Sequence, residues 1–320
     1  MPSPQPGVLA PGNAHAYFLT LTVPGHAARA ELIEAIQDVQ PAAQALAARA
    51  KTSRLVCTLG IGSGLWNRLS PANRPAGLRP FRAVEVEGRV APATGGDLFV
   101  QIVSGRHDLN FELATRLAQR LRTLAALTEE IHGFRYLDSR DFTGFIDGTE
   151  NPRGKARAAA ALIGVEDQPF AGGSYIAVQR YVHNLDAWRR LSDREQEQII
   201  GRTKRSSVEL PKARKPATAH ISRVVIERDG EELQILRQSY PWGSTCEAGL
   251  YFVAYTKSLH VFDSMLARMM GVVGDGLHDR LLEFTRPVTG ATFFAPSLQM
   301  LNALWRTSRS HSREGSGAES

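Results

Sequence analysis

The sequence predicts an α+β fold made of two ferredoxin-like units, each an antiparallel sheet with helices packed against it. Three features lead there. Strand and helix signals alternate along the chain, the same broad order occurs twice, and Asp229-Gly230 marks a tight hairpin turn between two apolar runs. The repetition is one of element order only; the halves share no clear identity residue by residue.

His15 to Val23 is aromatic and β-branched and reads as the first strand. Ala27 to Ala50 is Ala-rich with apolar residues at helical spacing, and Pro41 should kink or split it. Arg54 to Ile61 and Asp97 to Val103 read as strands, with weaker alternation over Phe81 to Val86. Phe111 to Leu127 carries Leu113, Leu117, Leu121 and Leu124 on one helical stripe, and a strand follows around Gly133 to Leu137. In the second half Ser174 to Val182 is a strand and Leu185 to Ile200 a helix. Ile221 to Glu227 and Leu233 to Tyr240 are strands on either side of the hairpin turn. Leu250 to Tyr255 is a buried strand, His260 to Met270 a helix and Ala291 to Phe294 the final strand. Domains are expected at 1–145 and 146–305, because Gly, Pro and Ala collect between Arg140 and Phe170. Residues 306–320 are rich in Ser, Arg and Gly and are expected to form a disordered tail.

Composition narrows the function classes. With 43% hydrophobic and 22% charged residues in 320, the chain has the make-up of a globular protein. No apolar run reaches the roughly 18 to 20 residues that a membrane span needs. The Pro- and Gly-rich start, Met1 to Gly12, lacks the basic and apolar regions of a secretory signal. Cys57 and Cys246 are too few for a disulfide framework or thiolate metal site, and their apolar sequence neighbours suggest two small buried hydrophobes. Together these features predict a cytoplasmic protein. The net charge of +6 is concentrated between Arg202 and Lys215 and in the tail. No zinc spacing, recognition helix or aromatic-rich RNA motif accompanies it, which argues against nucleic acid as a partner.

Three places are candidates for chemistry. Gly144 to Pro152 reads GFIDGTENP, in which Asp147-Gly148 and Asn151-Pro152 are turn signals, so by itself it could be a structural loop. Leu233, Ile235, Arg237 and Ser239 share one face of a strand by alternation. A charge on such a face is costly unless it meets an anion or a strong acceptor, which makes Arg237 hard to explain by folding alone. His220 precedes an apolar run, where a lone histidine is more often a hydrogen-bonded core residue than a ligand.

GFIDGTENP resembles the GxxDG signature of dye-decolourising peroxidases, and the runs AHISRVVI, ILRQSYPWG and GLYFVAYTKSLH resemble the family's following blocks. The match runs from the N-terminal strand to about Trp305 and is closest to the bacterial P-type (B-type) branch, whose fold is dimeric α/β-barrel-like. The resemblance implies one haem b, with His220 as the iron ligand and Asp279 accepting a hydrogen bond from its imidazole. It implies Asp147 as distal acid/base and Arg237 as distal arginine. Ser239 stands where some members carry Asn, and Arg202 resembles an arginine that contacts a haem propionate. The implied reaction is reduction of hydrogen peroxide with oxidation of a bulky organic reductant; the alternative is a haem-binding or haem-metabolism protein with incidental peroxidase activity. An Asp in the place where plant-type peroxidases use His implies an acidic optimum. Family members commonly form dimers or higher assemblies, so a homo-oligomer is expected. Some relatives dock in a protein nanocompartment by a C-terminal peptide, but REGSGAES lacks an apolar anchor, which argues against that role. Trp188, Trp242, Tyr240 and Tyr251 are candidate electron relays, against the simpler reading that they are core aromatics.

One consequence is geometric. If Asp229-Gly230 closed a two-residue hairpin in register through both strands, His220 would face Ser239, beside Arg237. A planar cofactor cannot separate groups packed side by side on one sheet, so the ladder is expected to end or bulge before His220.

Overall fold

A computed structural model describes residues 2–303; the expected tail at 306–320 lies outside the described residues. The first half supplies strands β1 (His15–Thr22), β2 (Val56–Gly62), β3 (Leu98–Ser104) and β4 (Ala126–Phe134), with helices α1 (Arg29–Arg49) and α2 (His107–Leu121). The second supplies β5 (Ser174–His183), helices α3 (Asp193–Ile200) and α4 (His220–Val224), and strands β6 (Leu236–Arg237), β7 (Tyr240–Gly243) and β8 (Ala248–Thr256). Helix α5 (Leu259–Met270) and strand β9 (Ala291–Ala295) complete it.

In the first half the strands lie in the order β4-β1-β3-β2, and in the second β7-β8-β5-β9, so each unit places its first and third strands side by side. That is the ferredoxin-like order, present twice. The units join at both sheet edges. Trp242 pairs with Gly133 at one seam and Phe293 with Gly62 at the other, while β8 pairs with β5 through Val253 and Val178. The sheet therefore closes into an antiparallel barrel, leaving the short strand β6 paired on one side only. Gly133 is required at the first seam: a Cβ there would lie 2.6 Å from the Cβ of Tyr240.

Side-chain alternation sorts the core into two layers. Phe18, Phe99, Phe293 and Tyr251 fill the barrel, with Phe18 stacked on Tyr251 at 4.3 Å between ring centroids. Tyr17 and Leu19, one residue either side of Phe18, point outward and pack with Ile33, Ile36, Leu113 and Leu117 of α1 and α2. The four candidate relay aromatics are all buried with their polar atoms bonded, as core residues would be. Trp188 Nε1 donates to the Thr143 carbonyl (2.9 Å) and Tyr251 donates to Glu129 (3.1 Å). Trp242 donates to the Tyr181 carbonyl (3.2 Å), and the Tyr240 hydroxyl accepts from Asn13 N–H (2.9 Å).

Several elements differ from expectation. Pro41 does not split α1, because apolar residues before it (Leu32, Ile33, Ile36) and after it (Ala43, Leu46) are buried in the same core and hold one helix together. Helix α2 begins and ends earlier than predicted, and β4 takes over from Ala126, hidden in sequence because its TEE stretch is largely exposed. The predicted helix at 185–200 is broken, and α3 starts afresh where Ser192 and Glu195 form a reciprocal capping box. Cys246 is exposed, contrary to expectation, because it sits in the turn between β7 and β8, where the Ser244 N–H reaches the Glu247 carbonyl. Both cysteines are free, and burial pushes the Cys57 thiol up to about 12. Among the described residues, no helix is long and apolar enough to cross a membrane.

The largest departure lies at residues 220–224, where the β-branched run HISRV forms a helix rather than a strand. Tertiary contacts decide it. Arg223 is 2% exposed, pairs with Asp275 at 2.7 Å and donates to the Arg268 carbonyl, contacts that a strand would not deliver together. The hairpin itself has the expected register, with Glu227 opposite Glu232 and Arg228 opposite Glu231 around left-handed Asp229 and Gly230. A last bond joins Leu233 N–H to the Ile226 carbonyl at 2.8 Å, and the ladder stops there, short of His220.

Candidate functional site

A cleft opens between the outer face of β5 and β8, the helices α4 and α5, and the GFIDGTENP loop. Its cavity volume is about 200 Å3, and its mouth opens to solvent. Its walls are mainly apolar, from Ile221, Leu233, Ile235, Phe252, Met265 and Leu266 among others. Polar groups enter at three places.

On one side stands His220. The sequence puts it at the first position of α4, after Ala219, and Gly201 makes room for that helix. Gly201 has φ +92° and ends α3 in the left-handed conformation; a Cβ there would lie 2.3 Å from Ile221 Cγ2. His220 Nδ1 lies 2.6 Å from Asp279 Oδ2, and a carboxylate can only accept, so Nδ1 carries the proton. Nε2 has no hydrogen-bond partner among the described residues, and the ring lines the cleft. Asp279 is fully buried behind it, its other oxygen held by the Leu281 N–H at 2.9 Å. Tyr181 is buried nearby, and burial together with the Asp279 carboxylate raises its phenol well above the ordinary value.

Asp147 and Arg237 also line the cleft, with Asp147 Oδ1 3.7 Å from Arg237 Nη1. The loop turns at Asp147-Gly148, where the Gly148 N–H donates to Asp147 Oδ1 at 2.7 Å and Gly148 has φ +75°. Arg202 joins them on the wall. Its guanidinium pairs with Glu150 and donates to the Ser207 carbonyl, and burial followed by the nearby Arg237 charge pulls its pKa down. The rest of the basic stretch is ordinary surface, with Lys204 on Asp193 and Lys215 on Glu209.

Of the six residues singled out in sequence, His220, Asp147, Arg237 and Arg202 therefore meet on one cleft, with Asp279 directly behind His220. Ser239 does not line it. It faces a second, more polar cavity that also touches Asp147 and Arg237, and its hydroxyl accepts from the Val253 N–H at 3.3 Å.

Sequence reasoning missed a third polar group, His183 with Asp141. His183 Nε2 lies 3.2 Å from the Asp141 carboxylate, and Nδ1 lies 2.7 Å from the Thr285 hydroxyl. Burial pushes the Asp141 carboxyl up, but the facing His183 and the Thr143 hydroxyl outweigh it and leave its pKa below the ordinary value. No local sign marked it in the sequence, since the strand SYIAVQRYVH already carries Gln179 and Arg180 before His183.

Could the cleft hold a metal? Among the described residues, no group of three or more His, Cys, Asp or Glu side chains could hold a bare ion. A lone imidazole with a free, cleft-facing nitrogen suits a metal whose remaining ligands come with a flat macrocycle, and the apolar walls suit the macrocycle's faces.

Fold and cleft thus define a class: a two-unit α+β barrel protein whose second unit carries a largely apolar cleft with one imidazole, His220, left with a free ring nitrogen. Residues 5–135 match the N-terminal model, and residues 138–300 the C-terminal model, of the Dyp-type peroxidase family. The dye-decolorizing peroxidase of Mycolicibacterium paratuberculosis is 42% identical over 304 residues, covering 93% of this chain and 85% of the relative. A heme complex of a variant of DypB from Rhodococcus jostii RHA1 superposes with a TM-score of 0.89 at 41% identity, covering 93% of this chain and 97% of that one. The encapsulated DyP-type peroxidase from Mycobacterium smegmatis superposes with a TM-score of 0.91 at 40% identity, covering 94% and 98%. The chain belongs to the Dyp-type, or dye-decolourising, peroxidase family, and is an oxidoreductase of the peroxidase class.

Proposed function

We propose that the cleft binds one haem b, and that the chain reduces hydrogen peroxide while oxidising a bulky organic reductant. The observation that carries this reading is the His220–Asp279 pair, whose free Nε2 faces the same cleft that Asp147 and Arg237 line. Haem, when bound, supplies the redox-active iron. The chain's own residues supply the rest. His220 Nε2 would hold the iron, and Asp279, accepting from Nδ1–H, fixes the ring's tautomer and makes it more electron-rich. Arg202, beside Arg237 on the wall, offers its guanidinium to a propionate in place of part of its contact with Glu150.

Asp147 takes the proton from the near oxygen of peroxide and returns it to the departing oxygen, directly or through one water. Arg237, with few close partners for its guanidinium, stabilises the negative charge on that departing oxygen. Ser239 acts from the second cavity, where its hydroxyl can order the solvent that relays protons to Asp147. The two free cysteines fit a cytoplasmic protein.

The test is the absorption spectrum of protein purified with haem supplied. A Soret band that His220→Ala abolishes or displaces is expected; wild-type protein without one defeats the reading.

A further inference from the structure

We propose that Asn151 is the positioning residue that sets the Asp147–Arg237 pair, by acting as a one-residue substitute for the missing neighbour of strand β6. Strand β6 pairs with β8 along one side only, Leu236 opposite Tyr255 and Arg237 opposite Ala254. In an antiparallel ladder successive residues direct their N–H and C=O groups to opposite sides. Gln238 N–H accordingly reaches the Val253 carbonyl of β8 at 2.9 Å, and the backbone of Arg237 points the other way, into the cavities. No strand lies there.

The Asn151 amide fills the gap at both atoms. Arg237 N–H donates to Asn151 Oδ1 at 2.9 Å, and Asn151 Nδ2 donates to the Arg237 carbonyl at 2.8 Å. This is the reciprocal pattern a neighbouring strand would make, and only a carboxamide has the donor and acceptor side by side for it. The other end of Asn151 is tied to the acid. Its backbone N–H donates to the Gly148 carbonyl at 3.1 Å, closing the Gly148–Asn151 turn that follows Asp147 directly. One residue thus grips the backbone of Arg237 and the turn of Asp147, two groups far apart in sequence whose spacing must suit one peroxide molecule. Asn151 touches no reacting atom; it acts through Arg237 and Asp147.

The proposal rests on the peroxidase reading for its kinetic consequence, but the clamp itself is measurable without turnover. Amide hydrogen exchange of the haem-loaded protein reads it directly: Asn151→Ala should speed exchange at the Arg237 amide. The rate of reaction with peroxide should fall about tenfold or more, as sub-ångström to ångström misplacement of a reacting group costs up to roughly a hundredfold. In an Arg237→Leu background the same substitution should cost clearly less than in the wild type, since only Asp147 is left for it to position. Unchanged exchange at Arg237, an unchanged rate, or the same slowing in both backgrounds would overturn the proposal. Should Asn151→Ala fail to fold, near-isosteric Asn151→Leu, which loses both bonds to the Arg237 backbone, takes its place under the same criteria. Wild-type protein that binds haem but ignores peroxide would defeat the functional reading, while the exchange result would still decide the clamp.

Discussion

Asp147 Oδ1 lies 3.7 Å from Arg237 Nη1, and these two side chains form part of the partition between the apolar cleft and the polar second cavity. The arrangement separates two needs. A flat apolar cofactor requires dry walls, whereas peroxide and protons require a polar route, and the pair stands where the two spaces meet. The polar side is rich in arginine, with Arg135, Arg140 and Arg157 facing it beside Arg237.

Removing either partner should therefore slow the same step. Asp147→Asn and Arg237→Leu are each expected to lower the rate of reaction with peroxide by about 10²–10³-fold, the range for loss of one preorganised electrostatic group. The double variant should lose far less than the product of the two, because both serve one charge movement. Stopped-flow absorbance at the Soret band measures all three. A double variant that multiplies the single effects would show that the residues act at different steps.

The proximal pair makes a separate prediction, read from potential rather than rate. Asp279→Asn removes the negative charge that enriches His220, so the iron should be easier to reduce and its potential should rise. Haem affinity should fall by about 10–100-fold, as for other partners of metal-bound histidines. Spectroelectrochemical titration checks the sign. A lowered potential would contradict the role given to Asp279.

His183 and Asp141 predict a pH dependence of stability. The Asp141 carboxyl sits below its ordinary value, so it favours the folded state at any pH above the unfolded carboxyl's range, near 3.9. That contribution is lost as pH falls through the lowered folded value. Asp141→Asn should accordingly destabilise the fold near neutral pH. The gap should begin to narrow below about pH 4, where the unfolded carboxyl starts to protonate, and close only below the lowered folded value. Denaturant midpoints measured from pH 3 to 7 would show it, and a gap independent of pH would rule the ion pair out as the cause.

How much of this was legible in the sequence follows from where each signal resides. Strands β1, β5 and β8 carry their own period-two, β-branched pattern, so they could be placed to within about two residues. Arg237 could be singled out because a charge on an apolar strand face is a local anomaly. Helix α4 could not, since HISRV favours a strand and only the Arg223 contacts with Asp275 and Arg268 make it a helix. Partners distant in the chain were invisible for the same reason. Asn151 and Arg237 are 86 residues apart, and His183 and Asp141 are 42 apart, with no pattern in between to join them. Barrel closure was equally beyond reach, because the Trp242–Gly133 and Phe293–Gly62 seams are properties of two sheet edges rather than of either strand.

Gly201 offers the sharpest link between a single backbone position and cofactor binding. Its φ of +92° disfavours any Cβ, at about 1–2 kcal/mol for an L-residue. A Cβ would also meet Ile221 Cγ2 at 2.3 Å, so Gly201→Ala must push α4 away from α3. Ile221 follows His220 directly, and the displacement would carry the imidazole with it while Asp279, held by the Leu281 N–H, stays behind. Haem retention should drop more than overall stability. Measuring haem transfer to apomyoglobin alongside the thermal midpoint separates the two: faster transfer with a modest fall in midpoint is expected. Wild-type transfer rates in a destabilised variant would mean that α4 moves without disturbing the His220–Asp279 pair.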